Sequence, residues 1–350
     1  MSVTVYPFGH MPDGRTVDKV TLTNGSGTSV SVLTYGATVQ SLFFDDKDIV
    51  LGFDTLDSYF TSDAYIGATV GRVCNRIADG RFTLNGNTYQ LACNEAARGV
   101  HLHGGTVGFD KKIWDYAILS HEKFPSVRFS LHSEDGEEGY PGQLDVSVVF
   151  SLSEDNTLSL SYEAKGDKDT PVNLTNHTYF NLNGCNGADV SGTLLSIEAE
   201  EFTPVNSRLI PTGEFCSVAG TALDFRAPRP MGDTFRCEDP IVAGVGGVDH
   251  NFVLAHGRRP LSKAVEAFSP LSRIRMSCCT DLPGVQIYTA NATNENSGKY
   301  GLSWKKHSGF CVETQYFPDS VNQTAFPSVI LPAGVSYTSC TTFHFDIVEE

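Results

Sequence analysis

Apolar and polar residues alternate with a period of two along much of this chain, and this pattern limits the folds open to it. Residues 144–152 carry an apolar side chain at every second position, and residues 158–164 repeat the pattern after a polar turn at 154–157. A period of two is typical of a strand with one buried face. The two runs and their turn therefore predict an antiparallel β-hairpin.

Two further hairpins follow from the same pattern. One joins residues 17–22 to residues 30–35, and the other joins residues 114–119 to residues 127–131. Turn-forming Gly, Asn, Asp and Pro residues separate short strand-like runs along the rest of the chain. Strands are therefore expected along the whole length.

Helical periodicity is nearly absent, and a short helical turn at residues 56–60 is its main candidate. No linker rich in Pro, Gly or Ser and no repeat of fixed period divides the chain of 350 residues. We therefore predict an all-β protein, in which residues 1–350 form one large antiparallel β-sandwich domain with long loops.

The acidic charge balance restricts the class of partner. A formal net charge of −16 argues against nucleic acid, because proteins that bind it usually present a basic face. No run reaches the roughly 18 apolar residues of a membrane helix, and residues 1–11 contain no secretory signal. The nine cysteines include no C-x-x-C pair, which favours reduced thiols. We expect a cytoplasmic protein without nucleic-acid or membrane partners.

The first cluster of candidate site residues lies at 173–181. If this segment is a strand, Asn173, Thr175, His177 and Tyr179 share one face. So polar a face is either plain surface or the lining of a polar cleft. The density of Asn, His and Tyr favours a cleft, because these side chains hydrogen-bond ligands well.

The second cluster contains two histidines, His101 and His103, followed by two glycines. Histidines at i and i+2 on a strand could both ligate a metal. A cupin-type metal site also requires a glutamate shortly afterwards, and residues 106–110 contain none. The alternatives are a catalytic or ligand-binding His103, with the glycines allowing the backbone close to the ligand, or a structural histidine in a turn.

The third cluster is an acid within an apolar strand at 310–315. Alternation places Cys311, Glu313 and Gln315 on one face. A buried carboxylate is costly unless it is paired or functional. Together with a histidine such as His177, it would suffice for general acid–base chemistry. The residues alone therefore indicate a β-rich hydrolase, isomerase or sugar-binding protein.

Seven motifs, spread along almost the whole chain, carry a family resemblance. They are residues 71–78, 102–105 with 108–110, 173–182, 221–226, 249–252, 283–289 and 313–315. In this order they resemble the aldose 1-epimerase (galactose mutarotase) family. One such motif would be weak evidence, but seven in the family's order argue strongly against a chance match.

The resemblance implies a β-supersandwich with a sugar-binding cleft over one sheet. It also implies an isomerase that interconverts the α and β anomers of free hexoses such as galactose and glucose. Glu313 matches the family's general base, which takes the proton of the C1 hydroxyl. His177 matches the general acid that protonates the ring oxygen, and His103 matches a second histidine that orients the sugar. The implied reaction requires neither a cofactor nor a metal.

Four further positions match family residues that hold the sugar ring and its hydroxyls: Asn75, Arg76, Asp249 and Gln286. A carboxylate–imidazole pair suits ring opening, because one proton must leave one oxygen while another arrives at a second oxygen. Unperturbed pKa values of about 4.3 for Glu and about 6.5 for His would leave the base ionised and the acid partly protonated near neutral pH.

Three other functions stay open. A hexose-6-phosphate mutarotase on the same fold would need basic residues at the mouth of the cleft. The candidates are Arg72, Arg76, Arg81 and Arg98. A non-catalytic sugar-binding protein would have no need for the pair His177 and Glu313. A metalloenzyme would use His101 and His103.

Overall fold

The structure, a computed structural model, describes residues 1–119 and 123–349. Their first fourteen strands are β1 (Ser2–His10), β2 (Thr16–Thr23), β3 (Ser29–Leu33), β4 (Thr38–Phe44), β5 (Lys47–Asp48), β6 (Thr69–Val70), β7 (Arg76–Ile77), β8 (Arg81–Leu84), β9 (Asn87–Gln90), β10 (His101–Leu102), β11 (Asp115–Ile118), β12 (Ser126–Ser133), β13 (Leu144–Leu152) and β14 (Thr157–Gly166). The later strands are β15 (Thr170–Pro171), β16 (Thr175–Asn176), β17 (Tyr179–Phe180), β18 (Leu194–Ile197), β19 (Glu201–Phe202), β20 (Cys216–Ser217), β21 (Arg229–Pro230), β22 (Asp249–Val253), β23 (Ser262–Phe268), β24 (Ile274–Thr280), β25 (Gly284–Tyr288), β26 (Phe310–Gln315), β27 (Ile330–Leu331) and β28 (Ser336–Ile347).

The first five strands form a sheet in chain order, β1-β2-β3-β4-β5. The hairpin predicted at residues 17–22 and 30–35 is confirmed as β2 and β3, which pair antiparallel with Val20 opposite Val32. Both valines are fully buried. Burial of apolar surface, at about 25 cal/mol per Å², determines which face of the hairpin points inward.

The largest sheet has nine strands in the order β11-β12-β13-β14-β28-β24-β23-β18-β21. The hairpin predicted from residues 144–152 is confirmed as β13 and β14, with Phe150 opposite Leu160. The hairpin predicted from residues 114–119 is confirmed as β11 and β12. Residues 120–122 of its loop lie outside the described residues.

A six-stranded sheet, β17-β26-β25-β22-β19-β20, carries the candidate site. One buried apolar cluster joins the three sheets and includes Val32, Phe150 and Ile287. The prediction of an all-β fold with large antiparallel sheets is confirmed. The organisation of residues 1–350 as one domain stays a prediction.

Helical structure within the described ranges is short. It comprises α1 (Leu56–Thr61), α2 (Pro240–Ala243) and five 3-10 turns at Ala78–Gly80, Phe109–Lys111, Glu137–Gly139, Met231–Thr234 and Lys299–Gly301. The helical turn predicted at residues 56–60 is α1, which buries Leu56 and Tyr59. Among the described residues, none of the helices has the length and apolarity that a membrane crossing requires. All nine cysteines are free thiols in the structure.

Candidate active site

A cavity of about 500 Å³ opens over the six-stranded sheet. Six of the seven site residues predicted from the sequence line it: Asn75, Arg76, His103, His177, Asp249 and Glu313. The seventh, Gln286, is buried beside the cavity, and its Nε2 donates a hydrogen bond of 2.7 Å to Asp249 Oδ1.

Strand register brings Glu313 and His177 together at the bottom of the cavity. Glu313 on β26 lies opposite Gln286 on β25, and two residues earlier Cys311 lies opposite Tyr179 on β17. Continuing the antiparallel register of β17 and β26 by two residues brings His177 level with Glu313. The His177 Nε2 is 3.7 Å from Glu313 Oε1, and both side chains are buried.

The segment 173–181 is not one continuous strand, which was the condition for its predicted shared face. It is interrupted between β16 and β17, where the His177 N–H donates to the Ala68 carbonyl. The Asn173 side chain donates to the Tyr316 carbonyl and accepts from the Tyr316 N–H instead of facing the cavity. The predicted polar face is therefore wrong for Asn173 and Thr175, and the cavity is lined by His177 and Tyr179 alone from this set.

The two histidines of the second cluster have separate roles. His101 lies on β10 with no exposed surface, and its ring donates to the Ala92 carbonyl and accepts from the Tyr140 hydroxyl. His103 follows β10 with a positive φ of 51° and lines the cavity. The hypothesis of a metal bound by His101 and His103 is therefore wrong. A different set, which excludes His101, could hold a metal ion: ligand atoms of His103, His177 and Glu313 lie within 4.8 Å of one another.

A backbone contact sets the tautomer of His103. The Asn75 N–H donates to His103 Nδ1 over 3.1 Å, so the proton of the neutral ring is on Nε2. Both residues lie directly beside the short ladder in which Leu102 of β10 pairs with Arg76 of β7. The Nε2–H is therefore the hydrogen-bond donor that His103 has left for a ligand.

Polar contacts link the residues expected to hold the sugar. Arg76 Nε donates to Glu95 Oε2 over 2.8 Å, and Arg76 Nη1 is 3.8 Å from Asp249 Oδ2. Glu95 also pairs with Arg98 at the edge of the cavity. Because burial opposes the charge while Asp249 and Glu95 favour it, the pKa of Arg76 is raised on balance. Arg76 is therefore a fixed cation in the cavity wall.

Several residues that line the cavity were not among the predicted site residues, and Glu95 and Tyr65 are two of them. The Tyr65 ring is 4.7 Å from the His103 ring and 6.1 Å from the His177 ring, between centroids. Neither residue stands in a strand pattern, so no periodicity marked it. A carboxylate three residues before Arg98 was the one local signal for Glu95.

Burial changes the protonation that was expected from unperturbed side chains. Burial raises the pKa of Glu313 well above its usual range, with Asp249 adding to the rise and Arg76 opposing it. Burial also lowers the pKa of His177 to about 4. Both shifts favour neutral side chains, so the expectation of an ionised base and a partly protonated acid is wrong for this cavity. Among the described residues, Glu313 Oε2 has no hydrogen-bond partner.

Comparison with known proteins agrees with this fold. Residues 18–344 match the family model described as aldose 1-epimerase. Galactose mutarotase of Bos taurus is 43% identical over 354 residues, covering 99% of each chain. Aldose 1-epimerase of Escherichia coli (strain K12) is 34% identical over 95% of this chain and 96% of its own.

Two solved structures are similar in fold. A GalM/aldose epimerase homologue from C. elegans has a TM-score of 0.85 and 29% identity, covering 95% of this chain and 100% of its own. Galactose 1-epimerase from Lactobacillus acidophilus NCFM has a TM-score of 0.87 and 26% identity over 99% of both chains. The chain belongs to the aldose 1-epimerase family, which is a family of isomerases. The predicted mutarotase-like fold is confirmed.

Proposed function

We propose that this chain interconverts the α and β anomers of free hexoses, galactose and glucose among them, with Glu313 as base and His177 as acid. The observation that carries the proposal is the pair itself: a carboxyl group and an imidazole, 3.7 Å apart and buried at the floor of a polar cavity. Ring opening requires one group that removes a proton from the C1 hydroxyl and a second group that donates a proton to the ring oxygen.

The reaction then needs two proton transfers. From the ionised form of the pair, reached when one proton passes from Glu313 to His177 Nε2, Glu313 takes the proton of the C1 hydroxyl while His177 delivers a proton to the ring oxygen, and the C1–O5 bond breaks. The open aldehyde turns about C1–C2, and the ring closes on its other face with the proton roles reversed. The atoms balance, because each group ends the cycle in the protonation state in which it began.

The remaining residues bind and orient the sugar in this proposal. The Nε2–H of His103 is placed to donate to a sugar oxygen. Arg76 offers charged donors, while Asp249 and Gln286 accept from hydroxyls. The Oε1 atom of Gln286 is buried without a hydrogen-bond partner among the described residues. A buried unpaired oxygen is costly, so a hydroxyl that reached it would bind more tightly.

The charge of the cavity supports a neutral sugar rather than a phosphosugar. Five carboxyl groups and two guanidinium groups line it, and both guanidinium groups pair with Glu95. The carboxyl groups belong to Asp63, Glu95, Asp249, Glu295 and Glu313. Of the other basic candidates, Arg72 is buried on Ser133 and the Pro141 carbonyl, and Arg81 does not line the cavity. A phosphate would meet net negative charge here.

Polarimetry tests the reaction. Freshly dissolved α-D-galactose, α-D-glucose and α-D-glucose 6-phosphate are followed in a weakly catalytic buffer, with and without protein. We expect faster approach to the same equilibrium rotation with the two free sugars. Acceleration confined to glucose 6-phosphate would favour the phosphosugar function, and sugar binding without acceleration would favour a non-catalytic sugar-binding protein.

The substitution Glu313→Gln tests the base. Because the amide keeps the shape but cannot take the proton, we expect the rate to fall by roughly 10²–10⁴-fold. Galactose affinity, measured by calorimetry, should change little. The matched control is Glu163→Gln on an exposed position of β14, which should retain the full rate. Wild-type turnover in Glu313→Gln would show that another group is the base.

A further inference from the structure

Strand β26 presents a second side chain to the catalytic pair. Cys311 and Glu313 are two residues apart and point to the same face of the strand. Cys311 is fully buried, and its Sγ is 3.5 Å from His177 Nδ1. The same imidazole has its Nε2 3.7 Å from Glu313 Oε1. One strand therefore faces both ring nitrogens of His177, each with a different side chain.

Aromatic rings occupy the other sides of His177. Tyr179 stacks on it with a centroid distance of 5.1 Å and an interplanar angle of 29°. Tyr65 is nearly parallel at 6.1 Å, and His103 meets it edge-on at 5.2 Å. These contacts fix the ring plane. Within the described part of the chain, Cys311 is the one side chain at hydrogen-bond distance from Nδ1.

We propose that Cys311 is a positioning residue for His177: its sulfur accepts the Nδ1 hydrogen, so that Nε2 is the nitrogen that exchanges the reacting proton. The second half of this statement rests on the proposed function. An acid–base histidine alternates between a protonated and a bare Nε2, and it can do so only if Nδ1 keeps its own hydrogen throughout. In a histidine, the partner of one nitrogen decides which nitrogen carries the proton.

The chemistry of sulfur suits this position. Burial raises the pKa of the Cys311 thiol well above its usual range, so the group is neutral and adds no charge beside the ring. A thiol sulfur is a weak acceptor. It can orient the Nδ1–H without the strong stabilisation of imidazolium that a carboxylate partner would provide. His177 therefore stays a strong proton donor when its Nε2 is protonated.

Nitrogen NMR of histidine-labelled protein tests the tautomer directly. The His177 resonances are assigned by their loss in His177→Asn. At neutral pH we expect wild-type protein to show a protonated Nδ1 and a bare Nε2. Cys311→Ala should shift the ring towards a mixture of tautomers, whereas Cys278→Ala, at a buried cysteine of β24 whose thiol donates to the Cys279 carbonyl, should not. A protonated Nε2 in the neutral wild-type ring, or an unchanged tautomer in Cys311→Ala, would overturn the proposal.

Kinetics separate this role from simple packing. Cys311→Ala should lower kcat by roughly two- to tenfold, as expected for one hydrogen bond, with KM unchanged. Cys311→Ser retains an acceptor and should restore both the tautomer and part of kcat, and it also serves if the alanine variant does not fold. Equal kcat and equal tautomers in the serine and alanine variants would mean that volume, not the hydrogen bond, matters. If no variant and no wild-type protein accelerates mutarotation while the tautomers behave as expected, the proposed function fails and the positioning by Cys311 stands.

Discussion

At the scale of single residues, desolvation controls the protonation states of Glu313 and His177. A neutral Glu313 with a neutral His177 and an ionised pair contain the same number of protons. Burial raises the pKa of the acid and lowers the pKa of the histidine, so the neutral arrangement is favoured near pH 7. A substrate that bridges the two groups can therefore move one proton between them without exchange with solvent.

The substitution His177→Asn should change both the rate and the pH dependence of stability. We expect the rate to fall by roughly 10²–10⁴-fold. Burial lowers the pKa of His177 from 6.5 to about 4. Between these values the unfolded chain binds a proton that the native protein does not, so native stability falls as the pH drops through this window. By pH 5 this contribution amounts to about 2 kcal/mol, and it should be missing in His177→Asn.

Urea denaturation of wild type and His177→Asn at pH 7 and pH 5 measures this difference. The control is His256→Asn, at a histidine outside the cavity whose side chain is 61% exposed. If the free energy of unfolding falls equally from pH 7 to pH 5 in wild type and in His177→Asn, then His177 is not a buried neutral histidine in the native protein.

At the scale of elements, the turn after β10 places His103. Three consecutive residues have positive φ angles: His103 at 51°, Gly104 at 89° and Gly105 at 112°. This conformation turns the His103 ring back against Asn75. Residues other than glycine rarely adopt a positive φ. A Cβ on Gly104 would also lie 1.8 Å from the Gly71 carbonyl oxygen, so the backbone of the neighbouring segment leaves no space.

The substitution Gly104→Ala should therefore destabilise the protein by at least about 3 kcal/mol. Gly27→Ala is a matched control, because Gly27 has the same φ of 89° with nothing within 4 Å of the added Cβ. The control should cost only the left-handed strain of about 1–2 kcal/mol. Denaturation midpoints in urea report both values. Equal losses in the two variants would show that the contact with Gly71 yields easily.

At the scale of the whole molecule, a buried ion pair connects the segment that follows the cavity wall to the five-stranded sheet. Residues 291–295 line the cavity, and Lys299 follows them in the same connection. Lys299 Nζ is 2.5 Å from Asp48 Oδ2 and 2.7 Å from the Gln40 carbonyl. Asp48 ends β5 and Gln40 lies on β4, both in the five-stranded sheet. The lysine and aspartate are almost completely buried.

The substitution Lys299→Met should lower the free energy of unfolding by about 3–5 kcal/mol, because it leaves the Asp48 carboxylate buried without its partner. The control is Lys263→Met on β23, whose ion pairs are partly exposed at 3.4 and 3.6 Å and should contribute no more than about 1 kcal/mol. Chemical denaturation of the two variants gives the comparison. A loss in Lys299→Met as small as in the control would mean that the connection is held by its apolar contacts.

The sequence by itself determined the elements that depend on interactions between residues close together along the chain. The alternation in β13 and β14 is a property of the residues themselves, since side chains that alternate in polarity can bury only one face of a strand. The same rule placed Cys311 and Glu313 on one face of β26. The chemical types of the site residues were also readable, and the family resemblance assigned them expected roles.

Only the tertiary structure decided which of these residues meet. Register between β17 and β26 brings His177 to Glu313, while the break before His177 removes Asn173 and Thr175 from the cavity. Packing against Tyr140 turns His101 away from the site. The protonation of the pair also depends on the fold, because desolvation comes from side chains distant in sequence. Alternation is decided between neighbours along the chain, but register, contact and desolvation are decided by residues that only folding brings together.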